Sequence, residues 1–150
     1  MKIPKEVLEI ADQFRKQKFE VYLVGGCLRD LLLGAARGEP AEPKDWDLAT
    51  NAKPNEIQKI FPDSVYENKF GTVGVKTQSK DPTLAVIEVT TFRKEGKYTD
   101  KRHPDEIKFA KTIEEDLARR DFTVNAIALK FPISNFQFPI LVDPFRGQED

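Results

Sequence analysis

The stretch that decides the fold lies between positions 21 and 48, and its two ends read VYLVGGCLRDLLLG at 21–34 and KDWDL at 44–48. Its apolar, β-branched start predicts a buried strand, which the two adjacent glycines break. The residues that follow, up to Leu33, predict a short helix that Gly34 ends. The second end predicts an extended segment with two carboxylates one residue apart. A glycine turn that opens a helix, followed by paired acids, indicates chemistry on a phosphate with metal ions.

Length and composition limit the classes of protein to which the chain can belong. It has 150 residues, of which 39% are hydrophobic and 33% charged, and a net charge of -1. This suffices for one domain with its own core, and the sequence has neither a membrane-spanning run nor a signal peptide. A single cysteine, Cys27, fits a reducing cytosol, so we expect a cytoplasmic protein. A single histidine, His103, argues against a histidine-rich zinc site and a Ser-His-Asp triad, and near-zero net charge requires any nucleic-acid contact to use a local basic patch.

The remaining elements follow from apolar periodicity, prolines and capping residues. Their order, with strands that are often consecutive, favours a mixed α/β (α+β) fold with a mixed sheet flanked by helices over a doubly wound parallel sheet. The predicted elements are a helix over 4–18, a polar loop over 35–44, a strand over 45–49, a helix from Pro54 to Phe61, strands over 64–66, 71–77 and 84–92 with a turn at Asp81-Pro82, a charged surface loop over 93–106, a helix from Thr112 to about Arg120 opened by a Thr112–Glu115 capping box, a strand over 124–129, and a partner strand and turn over 141–147.

Asp45 and Asp47 are the first candidate site residues. In a strand, residues two apart point to the same face, so these two carboxylates converge while Trp46 and Leu48 pack on the opposite face. Two adjacent carboxylates repel each other unless a cation lies between them, and Mg²⁺ prefers such oxygen ligands together with substrate phosphates. The alternative is a pair of exposed acids at a strand edge, because this spacing is common by chance.

Glu88 is the second candidate, within the apolar strand VIEVTTF at 86–92. A charge in the middle of such a strand is costly unless it is paired or binds a metal. The functional interpretation is a third carboxylate that sheet pairing brings beside Asp45 and Asp47. The alternative is the solvated face of an edge strand.

The Gly25-Gly26 turn is the third candidate. Free backbone amides and the helix dipole favour an anion at the helix N-terminus that follows the turn. Arg29 falls in the first turn of that helix and is placed to reach a triphosphate, whereas Asp30 either pairs with Arg29 or caps amides. The alternative is an ordinary strand-turn-helix corner, since the sequence matches neither the Rossmann nor the Walker A pattern.

The segment RRDFTVN at 119–125 is the fourth candidate. Arg119 and Arg120 suit forked phosphate contacts, although two arginines near a helix C-terminus also have a simple dipole explanation. Asn125 either bonds a sugar hydroxyl or caps a turn.

A charged segment after the strand at 84–92 is a candidate contact with RNA phosphates. It also holds acids, among them Glu95, Asp100 and Asp105, so a plain solvated loop is equally consistent with its composition. His103 within it is most simply exposed. Its basic and aromatic residues are Arg93, Lys94, Lys97, Tyr98, Lys101 and Arg102.

Taken together, four segments in this order resemble one known family. The chain is similar to the head domain of class II tRNA nucleotidyltransferases, the bacterial-type CCA-adding enzymes, a domain that bacterial poly(A) polymerases share. The resemblance covers nearly the whole chain and implies the polymerase-β-like nucleotidyltransferase fold. The segments are LVGGCLRDLLLG at 23–34, DWDLAT at 45–50, EVTTFR at 88–93 and RRDFTVNA at 119–126.

The resemblance implies roles for these positions. Asp45 and Asp47 would hold two Mg²⁺ ions, and Glu88 would be the third acidic residue. The segment over 93–106 corresponds to a flexible loop that helps the family switch from C to A addition. The residues implied to bind the incoming nucleotide are Gly25, Gly26 and Arg29 for the triphosphate, and Arg120 with Arg119, Asp121 and Asn125 for the phosphates and sugar.

The chain departs from the family in one respect. Family members continue into helical neck, body and tail domains, of which the neck selects CTP or ATP and the later domains hold the tRNA. We therefore expect residues 1–150 to be a head domain that ends before those parts, or one chain of a split enzyme with a separate partner, and to have little activity alone. The expected function is Mg²⁺-dependent transfer of nucleotides from CTP or ATP to the 3′-hydroxyl of tRNA, either as full CCA addition or as partial addition of C-C or of A. The alternatives are a poly(A) polymerase head and a nucleotide- or RNA-binding module without turnover.

Overall fold

A computed structural model describes residues 3–39, 42–67, 70–94, 108–119, 127–131 and 140–142. The described helices are α1 (Lys5–Lys16), α2 (Gly26–Arg37), α3 (Pro54–Ile60) and α4 (Ile113–Ala118), with a 3-10 turn at Pro82–Leu84. The described strands are β1 (Val21–Val24), β2 (Asp47–Thr50), β3 (Ser64–Tyr66), β4 (Thr72–Lys76), β5 (Val86–Thr91), β6 (Arg93–Lys94), β7 (Lys108–Phe109), β8 (Ala128–Lys130) and β9 (Ile140–Val142).

Seven of these strands form one sheet, in the order β3-β4-β5-β2-β1-β8-β9. Strands β2 and β5 are parallel, and every other neighbouring pair in this sheet is antiparallel. Strands β6 and β7 form a separate antiparallel pair. The predicted mixed sheet is therefore confirmed, and so is the pairing of the last predicted strand with the one before it.

The two faces of the sheet are covered differently. On one face, Leu23, Leu48 and Val89 pack with Val7 and Phe14 of α1 in the main hydrophobic core. The other face carries a smaller cluster over its centre, where side chains of β1, β2 and β8 pack with α4. On that second face Val65, Val86 and Glu88 are exposed, so the part of the sheet formed by β3, β4 and β5 leaves it open. The open part of this face holds the candidate site.

Helix α1 confirms the periodicity in the sequence. Its residues Val7, Ile10, Ala11 and Phe14 are buried, as expected for one apolar stripe of an amphipathic helix. Within the described ranges, no helix is both long and apolar enough to cross a membrane.

The predicted end of α2 at Gly34 is wrong. The helix continues to Arg37 and ends at Gly38, which has the left-handed conformation (φ 69°). Alanine is the best helix former and a glycine inside a helix costs only about 1 kcal/mol, so Ala35 and Ala36 carry the helix past Gly34. The predicted loop at 35–44 therefore starts later.

Other boundaries differ from the predictions as well, and the strand predicted over 84–92 is β5, Val86–Thr91. Strand β2 begins at Asp47, which leaves Asp45 just before it, and α4 ends at Ala118 instead of Arg120. The loop predicted from residue 93 is wrong at its start, because Arg93 and Lys94 pair with β7. The rest of that loop, with Lys97, Tyr98, Lys101, Arg102 and His103, lies outside the described residues, as do residues 120–126 with the first part of the strand predicted over 124–129.

Candidate active site

A cleft of about 540 Å³ opens on the exposed part of the sheet face. Asp45, Asp47 and Glu88 all line it, so the structure brings the three predicted acids to one place. A fourth acid, Glu67, lines it as well. The remaining lining residues are Lys44, Trp46, Pro82, Thr83, Ala85 and Val86.

Parallel pairing of β2 with β5 places the acids together. Asp47 lies directly opposite Glu88 in the register, and the Glu88 backbone N–H donates to the Trp46 carbonyl oxygen at 3.2 Å. Trp46 is buried in the main core beside Leu48, as the alternation predicts. Although Asp45 precedes the strand, the buried Trp46 between the two acids keeps both on the cleft side. Glu88 is exposed although its strand is central, and its neighbour in the cleft is Glu67.

The turn at Gly25 requires glycine for two reasons. Its φ of 80° and ψ of -157° fall in a region that is essentially restricted to glycine. A Cβ atom at this position would lie only 3.2 Å from Oδ2 of Asp47. The turn thus brings the backbone at the start of α2 close to one of the cleft carboxylates.

Arg29 lies over the N-terminus of α2 but does not line the acidic cleft. Its Nη2 is 3.3 Å from where a Cβ of Gly26 would be, and its Nε forms an ion pair with Oδ1 of Asp30 at 3.5 Å. The pairing of Asp30 with Arg29 that the sequence allowed is therefore present. Both side chains are roughly half exposed, so this ion pair is weak.

Cys27, in the first turn of α2, is a free cysteine buried in the main hydrophobic core. Burial raises the pKa of its thiol to about 12, and the charge of Asp47 acts in the same direction. The Sγ–H donates to the Val24 carbonyl oxygen at 3.2 Å. A thiol in this state packs as a small apolar group.

Glu67 is a cleft residue that sequence reasoning missed. Burial raises the pKa of its carboxyl, and the charge of Glu88 and a hydrogen bond to Glu88 raise it further. A Cβ atom at Gly74 would overlap Oε1 of Glu67, so the glycine makes room for this carboxyl. Gly74 lies opposite both Val65 and Glu88 in the sheet. Glu67 could have been found only from the pairing of β3 and β5 with β4, and the sequence does not specify that pairing.

Asp116 was missed too. Its side chain is buried, and its Oδ1 accepts hydrogen bonds from the backbone N–H of Arg93 at 2.8 Å and from Nε of Arg119 at 3.3 Å. The structure thus places Arg119, a predicted phosphate ligand, against the residues that follow β5. Lys94 forms an ion pair with Glu115 of the same helix at 3.7 Å. The other predicted nucleotide-binding residues, Arg120, Asp121 and Asn125, lie outside the described residues.

The chemistry of the cleft suits a hard cation. Its carboxylates are oxygen donors of the kind Mg²⁺ prefers, with no thiol or imidazole among the lining residues. Within the described part of the chain, no three His, Cys, Asp or Glu side chains are grouped closely enough to hold a metal by themselves. Because Mg²⁺ usually binds through one or two carboxylates and completes its shell with water and phosphates, a pair such as Asp45 and Asp47 fits it.

Comparisons with known proteins agree on the class. Residues 21–150 match the model of the poly A polymerase head domain. The CCA-adding enzyme of Geobacillus kaustophilus (strain HTA426) is 42% identical over 151 residues, which cover 99% of this chain and 33% of that protein. The crystal structure of the Bacillus stearothermophilus CCA-adding enzyme in complex with CTP superposes with a TM-score of 0.74 at 38% identity, covering 99% of this chain and 32% of that one. A tRNA nucleotidyltransferase complexed with a primer tRNA and an incoming ATP analog matches with a TM-score of 0.64 at 25% identity, covering 94% of this chain and 36% of that one.

The mixed sheet, with α1, α2 and α3 on one face and α4 beside a carboxylate-lined cleft on the other, is thus the polymerase-β-like nucleotidyltransferase fold. Within that class, the chain belongs to the poly A polymerase head domain family. It spans about a third of the length of the curated relatives that it matches.

Proposed function

We propose that residues 1–150 form the catalytic head of a tRNA nucleotidyltransferase that transfers nucleotides from CTP and ATP to the 3′-hydroxyl of tRNA. The observation that carries the proposal is the direct pairing of Asp47 with Glu88, in one cleft with Asp45 and beside the glycine turn that opens α2. The similar chains support it, since their structures hold CTP or a primer tRNA with an ATP analog.

In the proposed reaction, the 3′-hydroxyl of the RNA gives up its proton to water and its oxygen bonds to the α-phosphorus. The bond from that phosphorus to the oxygen that bridges it to the β-phosphorus breaks, and pyrophosphate leaves. Asp45 and Asp47 would hold Mg²⁺, which lowers the pKa of an attacking hydroxyl and stabilises a leaving oxygen. The backbone amides at Gly25-Gly26, together with Arg29, would neutralise the triphosphate. Glu88 keeps a third negative charge beside the pair and so favours a cation there.

The segment at 119–125 would complete the nucleotide site. Arg119, with Arg120, Asp121 and Asn125, would contact the phosphates and sugar of the incoming nucleotide. We assign Arg93, Lys94, Lys97, Tyr98 and Arg102 to RNA contacts near the 3′ end. Selection of CTP or ATP, and most of the grip on tRNA, we assign to further domains of the protein or to a partner chain.

Substitution of Asp47 tests the proposal. In the complete protein, we expect Asp47→Asn to lower nucleotide incorporation into tRNA lacking its CCA end by about a thousandfold or more, because the lost carboxylate is a metal ligand. The measurement is incorporation of labelled CTP and ATP with Mg²⁺, together with the thermal midpoint. Asp47 is partly exposed at the cleft, so the midpoint should change little. The control is Asp12→Asn, which removes an exposed carboxylate from α1 and should leave incorporation intact.

The family match supports a second candidate, because the matching model carries the name of the poly A polymerase head domain. The same assay separates the two activities. Addition of C and then A to tRNA supports the first proposal, and addition of A alone to many RNAs supports a poly(A) polymerase. Nucleotide binding without incorporation in the complete protein contradicts both and indicates a binding module.

A further inference from the structure

Asp116 is the one charged residue among the buried side chains of the described part of the chain, at 1% exposure. A buried carboxylate is costly unless hydrogen bonds and opposite charge compensate it. Here the same oxygen accepts from a backbone amide and from a guanidinium, on Arg93 and Arg119. Asp116 therefore joins two segments that are 26 positions apart along the chain.

Both segments belong to the proposed catalytic machinery, since Arg93 is assigned to RNA contacts and Arg119 to the incoming nucleotide. Arg93 follows β5, the strand that carries Glu88 in the cleft, and only the fully buried Phe92 separates it from that strand. Arg119 is the first residue of the segment at 119–125. Asp116 lies on the buried side of α4 beside Ile113 and Leu117, which pack in the same cluster as Phe92. The contact is therefore anchored on both sides by packed side chains.

The ion pair by itself is a weak stability argument for a carboxylate at this position. A buried ion pair is often no more stabilising than apolar side chains of the same volume. A carboxylate bound to Nε does, however, fix the plane of a guanidinium, and a forked phosphate contact depends on that plane. The geometry thus favours a role in orienting Arg119 over a role in stability.

We propose that Asp116 is a positioning residue for nucleotide binding: it holds the Arg119 guanidinium against the end of β5 so that Arg119 meets the phosphates of the incoming nucleotide. This inference rests on the proposed function. It adds a residue outside the cleft, which acts through Arg119 and does not touch the nucleotide itself.

A double-mutant cycle tests this role. We expect Arg119→Ala to weaken CTP binding by about tenfold and Asp116→Asn by about threefold to tenfold, as is typical for loss or misplacement of one charged contact. The double variant should bind CTP no more weakly than Arg119→Ala alone, because Asp116 acts only through Arg119. Titration calorimetry of the 150-residue chain with CTP and Mg²⁺ gives the affinities. Glu114→Gln, which removes an exposed charge from the same helix, is the matched control and should bind CTP normally.

Additive effects of the two substitutions would overturn the inference, and so would normal CTP binding by Asp116→Asn. Arg119→Lys keeps the test decisive if Asp116→Asn does not fold. That variant keeps the charge but loses the planar guanidinium, so full retention of CTP binding would also overturn the proposal. If Arg119→Ala itself binds CTP normally, the inference fails, whereas the nucleotidyl-transfer proposal is judged separately by Asp47→Asn.

Discussion

At the scale of single residues, the buried thiol of Cys27 leads to two predictions. The thiol is buried in the main core, and burial together with the charge of Asp47 raises its pKa to about 12. Because the thiolate is the reactive form, we expect iodoacetamide at pH 8 to modify Cys27 in the folded chain at least about a hundredfold more slowly than in urea. Mass spectrometry of timed samples measures both rates. Equal rates in the folded and unfolded chain would show that the thiol is accessible.

The same thiol makes stability depend on alkaline pH. Its ordinary pKa is 9.0 and its value in the folded chain is about 12, so the unfolded chain loses this proton first as the pH rises. The free energy of unfolding should therefore be unaffected by Cys27 below about pH 9 and should fall between pH 9 and 12. Tyr22, whose pKa is also raised to about 12, adds to this fall. Urea titrations of Cys27→Ala and the parent chain should show a shallower decline in the variant.

At the scale of secondary-structure elements, the turn from β1 into α2 fixes the distance between the helix N-terminus and the acids. We expect Gly25→Ala to lower the free energy of unfolding by about 2–3 kcal/mol, because its backbone conformation is restricted to glycine and the new methyl group presses on Asp47. It should also reduce nucleotide incorporation by the complete protein, since Asp47 must move. Chemical denaturation and the incorporation assay measure the two effects.

Gly38→Ala is the control for this prediction. Gly38 also has a positive φ, but no atom lies within 4 Å of where its Cβ would be. The substitution should cost about 1 kcal/mol for the left-handed conformation and leave incorporation unchanged. If the two variants lose incorporation equally, the contact between Gly25 and Asp47 does not shape the site.

Elements also show what the sequence could predict. Alternation along a strand was enough to place Trp46 in the core and Asp47 and Glu88 on an open face, because that period depends only on local geometry. The end of α2 was missed because Gly34 and Gly38 are both possible stops, and the two alanines between them carry the helix to the second. Glu67 and Asp116 were missed because their roles depend on contacts between distant segments. Strand register and helix packing set these contacts, and a local sequence pattern predicts neither of them.

At the scale of the whole molecule, the sheet divides the chain into a packed side and a reactive side. Helices α1, α2 and α3 lie with the main core, and the acids lie with the smaller cluster on the opposite face. Substitutions at the cleft can therefore change chemistry with little loss of stability. Substitution of core residues of the same strands, such as Leu48 and Val89, should lower the stability of the chain.

This division leads to a prediction for residues 1–150 by themselves. The groups assigned to the triphosphate contact the part that CTP and ATP share, so we expect the chain to bind both nucleotides with affinities within about threefold of each other. We also expect no detectable C-C-A addition to tRNA, because the chain spans about a third of the length of its relatives and tRNA binding is assigned to other parts. Calorimetry with each nucleotide and incorporation into tRNA lacking its CCA end are the measurements, with Asp47→Asn as the inactive reference. A tenfold preference for CTP would mean that the head itself reads the base, and efficient C-C-A addition would mean that residues 1–150 also hold the tRNA.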